Sequence, residues 1–162
     1  MNIVLLEPEI PANTGNIGRT CVASGSVLHL IKPLGFSLDE KQLKRAGLDY
    51  WPKLEYYLYE NYEDFCAQHP GARIHYATTK AQKVYTAAEF HEDDFIMFGK
   101  ESAGIPEEIL LANRDMCIRI PMIGDIRSLN LGNSVAIVLY EALRQTDFEG
   151  MNCVGALHRL HW

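Results

Sequence analysis

Short, uninterrupted apolar runs alternate along the chain with longer segments of mixed character. NIVLL at 2–6 and FIMF at 95–98 have the length and composition of strands buried on both faces of a parallel sheet. Further strands are predicted at 27–31, 73–77 and 117–120, and an aromatic extended segment lies within 50–62. A proline or a glycine follows the runs at 2–6, 27–31, 95–98 and 117–120 within two residues, which favours separate strands.

The segments between these runs predict helices. One spans 14–24 and ends at Gly25, a residue that commonly caps helix C-termini. The last spans 130–146, is uncharged from Leu131 to Tyr140, and has Ser128 or Asn130 as its expected N-cap. Shorter helices are predicted at 39–46, 62–69 and 106–111. Strands that alternate with helices predict an α/β domain, a mostly parallel sheet with helices on both faces.

The domain organisation is simple. We predict one domain over residues 1–150 and a C-terminal tail over 151–162 that shows no strong pattern. On the last predicted helix, Gly132, Ser134 and Ala136 are small, which indicates that another backbone comes close. That backbone belongs to the same chain or to a second subunit.

Composition restricts the protein class. The 162 residues are 48% hydrophobic and 22% charged, as in soluble globular proteins. No apolar stretch reaches the roughly 18 residues of a membrane span and the N-terminus lacks a basic signal-peptide start, so we predict a cytoplasmic protein without a membrane partner. The four cysteines are far apart and form no C-x-x-C pair, which favours reduced, mostly buried thiols over a metal site or disulfides.

The charge pattern bears on nucleic-acid binding. A net charge of −6 argues mildly against it, because phosphate binding needs clustered basic residues. The basic residues are nevertheless grouped, so a local basic face is possible, although solvated surface is the simpler interpretation. The groups are Lys41, Lys44 and Arg45 with Lys53 after them, then Lys80 and Lys83, and then Arg119 and Arg127.

The first candidate site follows the first strand. It reads NTGNIGR from Asn13 to Arg19 and contains neither G-x-G-x-x-G nor G-K-[ST]. Taken alone, Asn13 and Thr14 favour helix capping. Arg19 is the only charged residue between Glu9 and Lys32, and its two-pronged donor group suits a phosphate or a carboxylate.

Two further candidates follow later strands. FGKESAGIP at 98–106 is a glycine-bounded loop in which backbone can approach a ligand, although Glu101 by itself suits a cap or a solvated position. The loop after the 117–120 strand offers backbone groups, together with the hydroxyl of Ser128 and the amide of Asn130. Because ligands collect at the carboxyl ends of strands in open α/β sheets, all three loops are well placed.

Together, the three stretches resemble the motifs of the SpoU-type RNA 2′-O-ribose methyltransferases of the SPOUT class. The first resembles N-x-G-x-x-x-R, the second F-G-x-E-x-x-G, and the third IPM followed by SLNLxNSVAIVxYE. EPEIP, PLGF, KRAGLDYW and ATTK narrow the resemblance to small, single-domain members that act on the wobble nucleotide of certain leucine tRNAs. It covers roughly residues 2 to 147.

This resemblance implies S-adenosyl-L-methionine as methyl donor, tRNA as substrate, a C-terminal trefoil knot, and a homodimer with active sites at the interface. The implied cofactor residues are Ala77, Thr78, Gly99, Ile120, Ser128 and Leu129. The implied polar catalytic group is Asn13, Arg19, Glu101 and Asn130. We hypothesise that Arg19 orients the 2′-hydroxyl and clamps a phosphate, since a guanidinium stays protonated at neutral pH.

The chain departs from the family pattern at three positions. Lys100 stands where relatives often have Pro, Ala103 where they often have a basic residue, and Gly132 where Ser is more usual. Two alternative functions stay open at this point. One is 2′-O-methylation of ribosomal RNA, and the other is a flavodoxin-like small-molecule-binding domain without methyl transfer.

Overall fold

The computed structural model describes residues 1–38 and 50–162. Within them, seven strands form one sheet in which every pairing is parallel. In chain order they are β1 (Asn2–Leu6), β2 (Val27–Ile31), β3 (Tyr56–Tyr59), β4 (Ile74–Ala77), β5 (Lys83–Val84), β6 (Phe95–Phe98) and β7 (Cys117–Arg119). Their order across the sheet is β3-β2-β1-β6-β4-β7-β5, so β6 and β7 insert beside earlier strands. The helix predicted at 39–46 and the basic group Lys41, Lys44 and Arg45 lie outside the described residues.

Four α-helices lie in the described ranges, and they cover both faces of the sheet as predicted. They are α1 (Pro11–Ser24), α2 (Tyr62–Gln68), α3 (Glu107–Ala112) and α4 (Leu131–Gln145). α1 and α4 pack on one face of the sheet, around side chains such as Ile17 and Leu139. α2 and α3 pack on the other face, around Phe65 and Leu110.

Helix boundaries confirm some capping predictions and contradict one. Asn130 is the N-cap of α4, because its Oδ1 accepts from Asn133 N at 3.2 Å. Gly25 ends α1 with φ of 67°. The prediction that Asn13 and Thr14 cap the first helix is wrong. A proline at position 11, whose fixed φ suits a first helical turn, starts α1 earlier and places both residues inside it.

One of the small residues of α4, Gly132, lies against another element of the same chain. α4 packs against α1, and a Cβ added at Gly132 would lie 3.2 Å from Asn130 Oδ1 and 3.7 Å from Asn16 Cβ. The element that comes close at Gly132 is therefore α1 of the same chain, through the Asn16 side chain. Separately, no helix in the described ranges has the length and apolarity to cross a bilayer.

A buried polar chain links β2 and β3. His29 Nδ1 lies 2.7 Å from the Tyr59 hydroxyl, which lies 2.8 Å from His69 Nε2, and His29 Nε2 lies 3.2 Å from Asn2 Oδ1. Because the amide oxygen of Asn2 can only accept, His29 Nε2 carries the proton and Nδ1 accepts from Tyr59. Burial, and then the neighbouring His69, lower the pKa of His29 to about 4.

This histidine predicts that stability decreases in mild acid. Below pH 6.5 the unfolded chain binds a proton at His29 that the folded chain binds only near pH 4, so protonation favours unfolding. We expect urea denaturation to show a loss of about 2 kcal/mol between pH 7 and pH 5 from this residue. His29→Leu should reduce that pH slope, whereas His158→Leu in the exposed tail should leave it unchanged. Equal slopes in both variants would contradict the assignment.

Candidate active site

The carboxyl ends of four neighbouring strands border one open cavity. β1, β6, β4 and β7 lie side by side in the sheet, so the loops after them meet at the same edge. These loops and the start of α4 enclose about 600 Å³, a volume within the usual range for small-molecule sites. Residues distant along the chain are thus brought together by strand order alone.

All six residues expected to hold the cofactor line this cavity. Ala77 is the last residue of β4 and Thr78 follows it. Gly99 follows β6, Ile120 follows β7, and Ser128 and Leu129 lie just before α4. Thr78 is also tied to β7, since its backbone N–H donates to Ile118 O at 2.9 Å. The cavity therefore gathers the three motif loops and the end of β4.

Gly99 sits where two stretches of backbone touch. A Cβ added there would lie 2.1 Å from the carbonyl carbon of Gly104 and 2.3 Å from the nitrogen of Ile105. The loop closes on itself at this point, because Gly104 N donates to Lys100 O at 2.8 Å and Gly104 has φ of 73°. The missing side chain lets the loop turn tightly and leaves bare backbone on the cavity wall.

Three of the four predicted polar residues form one hydrogen-bonded relay. Asn13 Nδ2 donates to Glu101 Oε1 at 2.9 Å, and Asn130 Nδ2 donates to Asn13 Oδ1 at 3.0 Å. Because Asn130 also caps α4, the relay joins the start of α1, the loop after β6 and the start of α4. All three side chains line the cavity.

The carboxyl of Glu101 is held as an anion. Partial burial raises its pKa, but hydrogen bonds from the Asn13 amide and from the backbone N–H groups of Glu9 and Ile10 outweigh burial, so the pKa lies below its ordinary value. Glu101 is therefore an acceptor at neutral pH and is poorly suited to remove a proton from a hydroxyl. Its role in this geometry is to hold the relay.

We predict that Asn13→Asp destabilises the fold. The substitution replaces the Nδ2 donor and places a second carboxylate about 3 Å from Glu101, and two carboxylates that close repel each other. Thermal or urea unfolding should report a loss of roughly 1–3 kcal/mol at pH 7, consistent with loss of a charged hydrogen bond. Asn152→Asp in the tail keeps the side-chain oxygen that accepts from Val154 N, so it should change the free energy of unfolding little. An equal loss in both variants would mean that the relay contributes nothing.

Arg19 is the predicted residue that the single chain does not bring to the relay. It lies about 9 Å along α1 from Asn13, is exposed, and does not line the cavity. Its guanidinium carbon sits 4.6 Å from the centre of the Tyr50 ring, a cation–π geometry. The Tyr50 hydroxyl in turn donates to the carbonyl of Gly15, so the aromatic support for Arg19 is fixed to α1.

Several cavity residues were not assigned from the sequence. Lys80, Lys100 and Arg127 add positive charge to the wall. Lys80 Nζ lies 2.8 Å from Glu107 Oε1, and Lys100 Nζ lies 2.7 Å from Glu7 Oε2. The grouping of Lys80 and Arg127 within basic pairs was visible in the sequence, but which basic residues meet depends on strand order.

Comparisons with known proteins agree on one class of enzyme. Residues 1–140 match the SpoU rRNA Methylase family. A tRNA (cytidine(34)-2′-O)-methyltransferase of Methylovorus glucosotrophus (strain SIP3-4) is 51% identical over 154 residues, which are 92% of this chain and 97% of that protein.

Solved structures have the same fold. One, described as giving structural insights into the 2-OH methylation of C/U34 on tRNA, has a TM-score of 0.84 and 46% identity over 90% of this chain and 95% of that one. The AdoMet-bound rRNA methyltransferase from Sinorhizobium meliloti has a TM-score of 0.77 and 25% identity. That alignment covers 88% of this chain and 55% of the other.

Proposed function

Because the chain belongs to the SpoU methylase family, we propose that it transfers a methyl group from S-adenosyl-L-methionine to the ribose 2′-oxygen of the wobble nucleotide of tRNA, leucine tRNAs in particular. The observation that carries the proposal is the convergence of all three motif loops on one cavity, with Asn13, Glu101 and Asn130 in a single relay. The 51% identical relative is named for this reaction at cytidine 34.

The cavity suits the proposed methyl donor. Its wall at Gly99 and Gly104 is bare backbone, which can approach a ligand closely and offers peptide donors and acceptors. In the proposal Ala77, Thr78, Gly99, Ile120, Ser128 and Leu129 would hold the donor. When bound, S-adenosyl-L-methionine supplies an electrophilic methyl group on a positively charged sulfur. A related enzyme of 25% identity is described with AdoMet bound.

The polar residues then serve to orient and bind. The 2′-hydroxyl is a poor nucleophile until it loses its proton. Negative charge develops on its oxygen as the proton leaves, and that charge disappears as the oxygen–methyl bond forms and the methyl–sulfur bond breaks. Arg19 orients that hydroxyl and clamps a neighbouring phosphate with its two-pronged donor group. Lys80 and Arg127 on the cavity wall add positive charge for the RNA backbone, despite the net charge of −6.

Arg19 enters the site from a second copy of the chain in this proposal. In the single chain, residues 123–130 beside the cavity are all exposed, and α4 exposes Ile137 and Tyr140. In the proposal, a homodimer covers these apolar side chains and places α1 of one subunit at the cavity of its partner. Light scattering should then give twice the chain mass of 18.3 kDa.

A C-terminal trefoil knot belongs to the same proposal. Its support is that the end of α4 is hydrogen-bonded to the connection between β4 and β6. Gln145 Oε1 accepts from Phe90 N at 3.0 Å, and Gln145 Nε2 donates to Ala88 O at 3.0 Å. The chain that follows β7 thus contacts the connection between β4 and β6. An experimental backbone trace with an unthreaded C-terminus would reject the knot. We also expect the enzyme to work in the cytoplasm.

Transfer to ribosomal RNA is not favoured. The rRNA enzyme is 25% identical and is covered over only 55% of its length, whereas the tRNA (cytidine(34)) enzyme is 51% identical and is covered over 97%. Mass-spectrometric mapping of ribose methylation, in cells with and without the gene, distinguishes the two substrates. We expect loss of the 2′-O-methyl group at position 34 of leucine tRNA and its return on complementation. Unchanged tRNA together with a lost rRNA methyl group would contradict the proposal.

The flavodoxin-like alternative is tested separately by calorimetry with S-adenosylhomocysteine. The methyltransferase proposal expects saturable binding to the cavity. Absence of binding at millimolar ligand would favour the alternative.

A further inference from the structure

The segment after β1 and the segment after β6 hold each other by hydrogen bonds in both directions. The Glu101 carboxylate accepts from the backbone N–H of Glu9 at 2.8 Å and of Ile10 at 3.2 Å. In return, the Glu9 carboxylate accepts from the backbone N–H of Ser102 at 2.9 Å and from its hydroxyl at 2.8 Å. Both carboxylates are therefore occupied by donors from the opposite segment, and such charge-assisted bonds are strong.

The residue before Glu101 is held in the same way. Lys100 Nζ donates to Glu7 Oε2 at 2.7 Å, and Glu7 adopts φ of 52°, a left-handed conformation that is uncommon for a residue with a side chain. Lys100 and Ser102 are thus tied to Glu7 and Glu9. These two contacts, which we call the clamp, fix the backbone on both sides of Glu101.

The backbone at Glu9 is held on its other side by the turn that follows β2. The turn after β2 packs against it, because Gly35 N donates to Pro8 O at 2.9 Å. A Cβ on Gly35 would lie 2.5 Å from the carbonyl oxygen of Glu9, so no other side chain fits at this approach. Glu9 is consequently a fixed point, and the loop after β6 is positioned relative to it.

We propose that Glu9 is a positioning residue for methyl transfer: its carboxylate fixes Ser102, and through that loop backbone it holds Glu101 against Asn13. The proposal rests on the function proposed above. Glu9 is absent from the cavity lining and therefore acts through Glu101. A shift of Glu101 passes through Asn13 to Asn130, and a displacement of about 1 Å in a reacting group can lower a rate on the order of 100-fold.

A double-mutant cycle on kcat tests whether Glu9 works through Glu101. We expect Glu9→Ala to lower kcat about 30-fold in the wild-type background and less than about 3-fold in a Glu101→Gln background, because the group that it positions is already impaired. Glu9→Gln, which keeps one acceptor oxygen for Ser102, should recover most of the loss. Glu60→Ala, which removes a carboxylate paired with Lys32 outside the cavity, is the matched control.

Hydrogen–deuterium exchange gives a readout that does not depend on activity. In Glu9→Ala, the amides of Ser102 and Ile10 should both exchange at least about 10-fold faster, the first because it loses its acceptor and the second because Glu101 is released. Should Glu9→Ala not fold, the same comparison is made with Glu9→Gln, with smaller increases expected at the same two amides.

Two results would overturn the positioning role. One is an equal fold-change in kcat in both backgrounds, which indicates a general structural effect. The other is unchanged exchange at Ile10 when Ser102 is released. A wild-type protein that fails to methylate tRNA would instead reject the proposed function, while the exchange data would still report on the clamp.

Discussion

Gly99→Ala is expected to abolish binding of S-adenosylhomocysteine and to lower the free energy of unfolding by about 3 kcal/mol or more. The added methyl group would lie 2.1–2.4 Å from backbone atoms of Gly104 and Ile105. Backbone atoms cannot rotate away as a flexible side chain can, and Ile105 is itself buried in the core. The loop that carries Glu101 must therefore move, and the cavity wall moves with it. Calorimetry and urea denaturation measure the two effects.

A matched glycine controls for the substitution itself. Gly155→Ala adds the same methyl group in the tail, where nothing lies within 4 Å. We expect its ligand affinity and stability to equal those of the wild type. Ligand affinity within threefold of wild type in Gly99→Ala would show that the loop after β6 does not shape the binding site.

Arg19→Lys is expected to lower kcat for tRNA methylation about 100-fold while the affinity for S-adenosylhomocysteine changes little. Lysine keeps the charge but loses the planar pair of donors, which is what the orienting role requires. Arg19 does not line the cavity of its own chain, so the donor pocket should stay intact. Single-turnover methyl transfer at saturating cofactor measures the effect on chemistry directly.

The control for this prediction is Arg159→Lys in the exposed tail, which should be indistinguishable from wild type. Nearly full turnover in Arg19→Lys would reject the orienting hypothesis. An increase in the KM for tRNA with kcat unchanged would show that Arg19 binds the substrate and the transition state equally, and that it does not act on the reacting hydroxyl.

Periodicity predicts the elements of this fold well where they are long or wholly apolar. The strand at Phe95–Phe98 and the helix that follows Asn130 were both predicted within a residue, because burial on both faces leaves a clear pattern. The two-residue strand Lys83–Val84 was missed, since it is too short to show any period. The order of strands in the sheet is set by crossovers, which leave no local signal.

The candidate site also has residues that the sequence predicts and contacts that it does not predict. The resemblance of the motifs singled out nine residues that meet in one cavity, although Asn13 alone was better explained as a cap. The clamp residue Glu9 stands out in the sequence only as part of EPEIP. No pattern within a single segment shows that its partner is Ser102, which lies 93 positions away. Long-range polar contacts of this kind depend on the assembled sheet.

Subunit complementation is the most direct test of the claim that two chains build each site. A heterodimer of Arg19→Ala and Glu101→Gln, purified through two different tags, would contain one cavity with both Glu101 and the partner's guanidinium intact. The two homodimers should be nearly inactive, and the heterodimer should recover about half of the wild-type rate per dimer, since one of its two sites is complete. A heterodimer no more active than the homodimers would show that Arg19 does not serve the partner's cavity.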